Sequence, residues 1–200
     1  MNSKLVAAVI AASISVVAQA QTLHAATVTL DGDWYLQAGE VLNQSDAGIF
    51  VTDIIYSMGA QVDGAGVWED YLSEGLRADR LAGSSTHYSS QIWSGLQLAS
   101  QATWTFGGLD LDRIVHASTG EVDSQNLDFS GASLRQAYVQ VTFSDGYHEQ
   151  VRLAELGWNV TQVLRIGETV APVPEPAPAL MLVAGLGAVL FGRRKPGRPG

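Results

Sequence analysis

The chain contains no cysteine. Without disulfides to brace it, the fold has to hold together by core packing, with or without the help of a bound divalent ion. The same absence removes thiol catalysis and thiolate metal sites. Lysine is almost as scarce, with Lys4 and Lys195 the two copies in 200 residues. Between Ala26 and Val170, nineteen Asp and Glu face six Arg and no Lys, a net charge of −13. A field of that sign repels DNA, RNA and anionic lipid headgroups. Nucleic acid is therefore not an expected partner, which leaves cations, neutral polysaccharide or basic partners.

Catalytic signatures are missing too. There is no H-E-x-x-H pair and no G-x-S-x-G elbow, and His87, His116 and His148 are dispersed. Two carboxylates for glycoside hydrolysis can always be picked from nineteen, so finding them means little. The expectation is a protein that is not an enzyme and uses no cofactor.

What is present begins at the two ends. Met1 to Lys4 is a short positive region, Leu5 to Val17 an apolar one, and Ala18-Gln19-Ala20 an A-x-A site. That is the layout of a secretory signal peptide over residues 1–20, cut before Gln21, with a later cut after Leu23-His24-Ala25 left open. At the other end, residues 171–176 form a Pro-rich linker closing on Pro174-Glu175-Pro176. Such a spacer is stiff and stays out of regular structure. An apolar helix is expected over residues 177–192, followed at once by the basic tail 193–200 with Arg193, Arg194 and Lys195. The cations favour the cytoplasmic side of a membrane. The fifteen apolar residues from Ala177 to Phe191 rise about 22 Å as a helix, short of the roughly 30 Å hydrocarbon core. Gly185 and Gly187 weaken the run further, and transient retention suits it better than a permanent span.

This arrangement resembles the C-terminal sorting signal of the PEP-CTERM family of exported bacterial proteins. The motif falls on Pro174, Glu175 and Pro176, the short transmembrane helix on about Ala177 to Phe191, and the basic cluster on Arg193, Arg194 and Lys195. The resemblance implies export through the Sec translocon, transient anchoring in the inner membrane, and recognition by an exosortase. It also implies cleavage near Pro-Glu-Pro, with release to the cell surface or an extracellular matrix rich in exopolysaccharide. Trp104 to Ile114, with Leu134-Arg135 and Phe143 to Gly146, is in turn similar to a recurring exported β-domain found ahead of such signals.

The domain at residues 26–170 reads as strands between Gly, Asp and Ser turns. Thr27 to Leu30 closes at Asp31-Gly32-Asp33, a hairpin signal. Ile49 to Ser57 and Gln91 to Leu98 read as strands, and Val67 to Leu72 as strand or short helical turn. Gln101 to Phe106 alternates, with Ala102, Trp104 and Phe106 on one face. Gly107-Gly108 interrupts it before Leu109 and Leu111. Leu134 to Phe143 places Val139, Val141 and Phe143 inward, and His148 to Leu153 pairs back across Ser144-Asp145-Gly146. Val160 to Ile166 closes the domain. No amphipathic helix of twelve residues is legible. The expected fold is all-β, a single β-sandwich of jelly-roll type, flanked by the signal peptide and the sorting helix.

Period two also puts Asp110 and Asp112 on one strand face, and Asp31, Asp33 and Asp145 at turns. Hard oxygen ligands suit Ca²⁺, but turn aspartates usually cap backbone N–H groups, so no metal is expected. Aromatic residues are plentiful. Trp104 is expected in the core, whereas Trp34, past an Asp-Gly turn, and Trp68, among Gly64, Gly66, Glu69 and Asp70, are the candidates for exposed stacking on sugar rings. The leading function is a structural protein of the cell surface or matrix, associated with exopolysaccharide. The alternatives are a carbohydrate-binding module and, behind it, a secreted hydrolase.

Overall fold

Alternation with period two decides the architecture. In the computed structural model, which describes residues 22–32, 36–69, 75–125, 129–130 and 133–167, thirteen strands and no helix occur among those residues. They are β1 (Ala26–Gly32), β2 (Leu36–Asn43), β3 (Val51–Ser57), β4 (Gly66–Glu69), β5 (Leu76–Arg80), β6 (His87–Trp93), β7 (Thr103–His116), β8 (Glu121–Asp123), β9 (Phe129–Ser130), β10 (Tyr138–Phe143), β11 (His148–Arg152), β12 (Glu155–Leu156) and β13 (Thr161–Ile166). The signal peptide, the Pro-Glu-Pro linker, the sorting helix and the basic tail expected from the sequence lie outside the described residues. Among those that are described, no helix is long and apolar enough to cross a membrane.

Eleven strands form one antiparallel sheet, ordered β11-β10-β3-β6-β4-β7-β2-β1-β13, with β5 beside β6 and β8 beside β7. The nine-strand path curls into a nearly closed barrel, all of its ladders antiparallel. β9 and β12 make a separate two-stranded pair. The expected hairpins are present. β1 pairs with β2 from Ala26↔Asn43 to Gly32↔Gln37, and β10 pairs with β11 from Tyr138↔Arg152 to Thr142↔His148. In the latter, Val139, Val141 and Phe143 are buried and their alternates half-buried.

Two strand expectations change. The run expected to reach Leu98 ends at Trp93, because Gly95 takes φ +72° and turns the chain. Beyond it, Leu98 makes a lone bridge to Val51. Gly107-Gly108 does not interrupt its strand. β7 runs through, and the pair forms a bulge, since Gln37 sits opposite Leu109 while Gly39 sits opposite Phe106. One extra residue on β7 shifts the phase. Even-numbered Phe106 and odd-numbered Leu109 and Leu111 are therefore all buried.

The main core gathers Val28, Leu30, Val41, Ile54, Tyr56 and Trp68 with Val139, Val141 and Phe143. A smaller one holds Ala65, Val67, Leu81 and Ile114. Loops around Gly83 and Gly120 come together so closely that a Cβ at Gly83 would lie 2.3 Å from the Thr119 carbonyl oxygen. At the open seam, both ends of the domain meet the β10–β11 hairpin. The His24 ring stacks on Tyr147 at 4.4 Å, its Nε2 lies 2.7 Å from Asp145 Oδ2, and Gly167 N–H donates to Glu149 Oε2 at 3.1 Å.

Candidate functional site

Adjacent strands bring four ionisable side chains into one neighbourhood. Glu69 of β4 stands opposite Asp110 of β7 and, on its other side, opposite His87 of β6. Asp112 follows two residues along. Asp112 is 3% exposed, and His87 Nε2 lies 2.8 Å from its Oδ2, while its Oδ1 is buried without a partner among the described residues. The other imidazole nitrogen, Nδ1, is 2.7 Å from Ser84 Oγ. Burial, then the charges of Asp112 and Glu69, push the Asp110 carboxyl up to about 6. In its protonated form Asp110 donates to the Glu69 carboxylate.

Ser84, His87 and Asp112 thus line up in the order of a catalytic relay. The serine also has a structural task. Its Oγ accepts the backbone N–H groups of Thr86 and His87, each at 3.2 Å, so it closes the turn that leads into β6. The arrangement pins the β5–β6 turn to β7 through the buried contact of His87 with Asp112.

The Asp110 and Asp112 pair diverges in its contacts, one hydrogen-bonded to Glu69 and the other to His87. No three His, Asp or Glu side chains converge on a metal-ligand geometry among the described residues. Asp145 serves its turn. Its Oδ1 accepts Tyr147 N–H at 3.1 Å, and the hydrogen bond from His24 holds its carboxyl below the usual range.

Trp68 corrects the expectation of an exposed stacking residue. It is wholly buried, its indole N–H donates to the Tyr56 carbonyl at 3.2 Å, and its ring meets Tyr56 edge-on at 4.7 Å. The neighbouring glycines signalled a turn, but Gly66 lets β4 press into the core. A Cβ there would lie 2.9 Å from Met58 Sδ. Trp104, expected in the core, is half-buried and packs against it, stacked on Phe106 at 5.5 Å. Trp34 and the sorting residues Pro174, Glu175, Pro176, Arg193, Arg194 and Lys195 lie outside the described residues.

A groove of about 530 Å³ was not anticipated. Phe50, Thr52, Asp53, Leu96, Gln97 and Ser144 line it. Its floor is the start of β3, clamped on both sides. Leu96 N–H donates to Thr52 O at 2.9 Å, and Ser144 N–H to Phe50 O at 2.9 Å. Phe50 N–H in turn donates to Ser144 Oγ at 3.2 Å. Opposite β10, the register shifts between Asp53 and Val51, leaving Thr52 as an extra residue. Thr52 and Asp53 are both half-buried in consequence, and both line the groove. One sequence signal pointed here, a lone Asp inside an otherwise β-branched and aromatic strand.

No family model matches the chain, and no curated protein or solved structure matches it.

Proposed function

We propose that this chain is exported, trimmed at both ends, and delivered as a β-barrel domain to the cell surface or extracellular matrix, where it serves as a structural protein associated with exopolysaccharide. The observation that carries this is the order of elements at the C-terminus. Pro174-Glu175-Pro176, a short apolar run and Arg193-Arg194-Lys195 follow one another without a gap. Ala18-Gln19-Ala20 after an apolar run supports entry by the Sec translocon, and the tail supports recognition by an exosortase from the inner-membrane side. A domain without cysteine needs no oxidative folding step outside the cell. In this reading the domain is not an enzyme and acts by its surface.

The same reading takes the barrel as flattened, jelly-roll fashion, into two facing halves. Ring contacts between strands that are not hydrogen-bonded neighbours support this, with Tyr56 of β3 at 6.2 Å from Phe106 of β7 and Trp93 of β6 at 4.8 Å from the same ring.

Intact mass of the protein recovered from its host tests the reading. The expected product lacks Met1 to Ala20 and everything beyond about Glu175. Replacing Pro174, Glu175 and Pro176 by Ala should leave the chain in the inner membrane. A mature surface form that retains Arg193 to Gly200 would overturn the proposal.

A further inference from the structure

The groove at the start of β3 combines features that the core and turns do not require. Phe50 is 38% exposed, a large apolar face left in water on a clamped stretch of backbone. Beside it, the Asp53 carboxylate and the Gln97 amide have no side-chain hydrogen-bond partner among the described residues. The bulge at Thr52 directs two consecutive side chains into the same groove. Bulges of this kind re-aim side chains beside functional sites. The volume of about 530 Å³ falls in the roughly 300–1,000 Å³ range of small-molecule sites.

We propose that this groove binds a neutral oligosaccharide, with Phe50 as the platform under a sugar ring and Asp53, Gln97, Thr52 and Ser144 as hydrogen-bond partners for its hydroxyls. A sugar presents an apolar C–H face and a rim of hydroxyls, and an aromatic ring flanked by polar groups matches both. The Asp53 carboxylate accepts from two hydroxyls, and the Gln97 amide both donates and accepts. Among the described residues no Arg, Lys or His lines the groove, and the domain carries a net charge of −13. Phosphate, sulfate and uronate ligands are therefore disfavoured. One carboxylate is too few for a Ca²⁺ ion, which takes six to eight oxygens. The site does not depend on export or sorting, and its failure would leave that reading untouched.

The test is binding of the full chain, held in a non-glycosidic detergent, to an array of short neutral α- and β-linked hexose oligomers. Alginate oligomers and oligolysine are the charged comparisons. Retention of at least one neutral oligomer at millimolar or lower concentration is expected. Phe50→Ala should weaken it by about tenfold, and Asp53→Asn or Gln97→Ala by several-fold. Melting temperatures of the variants show that the fold persists, and Gln97→Ala, in an exposed loop, keeps the test valid if Phe50→Ala unfolds. No retention of any neutral oligomer overturns the proposal. So does retention that all three variants leave unchanged, tighter binding of oligolysine or alginate, or self-association abolished by Phe50→Ala.

Discussion

Asp110 shows how one residue is set by neighbours that a sequence does not reveal. Period two puts its side chain on one strand face with Asp112. The strands place it also next to Glu69, partly desolvated, with its carboxyl at about 6 in place of the ordinary 3.8. Because the folded value lies above the unfolded one, the folded state holds a proton that the unfolded chain has released between those two values. Stability therefore falls as pH rises from about 4 to about 6. Asp110→Asn removes the titration. The variant should exceed the parent at pH 7 by about 1 kcal/mol, after allowance for a partly exposed group, and the gain should vanish near pH 4. Melting curves at the two pH values check this, and equal differences at both would count against it.

At the scale of an element, β7 is the informative case. Its sequence shows two clean alternations of opposite phase, and Gly107-Gly108 between them reads as an interruption. Pairing with β2 decides for the bulge, because the ladder continues on both sides of it, Gly39↔Phe106 before and Gln37↔Leu109 after. Gly108 has φ +72°, a conformation that costs an L side chain about 1 kcal/mol. Gly108→Ala should accordingly lower the melting temperature by about 2–4 °C in a domain of this size. Deleting Gly108 should be far worse, since a slip of one residue turns Leu109 and Leu111 outward. Thermal melts of the two variants separate strain from phase. A deletion no more harmful than the substitution would refute the phase argument.

For the whole molecule, the question is how an open sheet becomes a barrel. The edge strands β11 and β13 are not neighbours on the hydrogen-bonded path, and the seam between them is held by side chains of the flanking segments. His24 sits on Tyr147 and beside Asp145, and Gly167 hangs on Glu149. His24→Ala should release this seam while sparing the interior. Amide exchange at Tyr147 and Gly167 should speed up, with Val28 and Val139 unchanged. Uniform acceleration across all four would mean that His24 supports the global fold.

What the sequence determined alone was local. It specified strands, turns and the inward faces of β7 and β10, because side-chain period and turn chemistry are written in consecutive residues. It also laid out the order of elements at both ends that motivates the sorting proposal. Tertiary structure decided the rest. Trp68 is buried because β4 is sandwiched between β6 and β7, a pairing that no window around Trp68 contains. The groove exists because residues near 50, 96 and 144 meet across three strands, and contacts that far apart in the chain are chosen by how the sheet closes over its core.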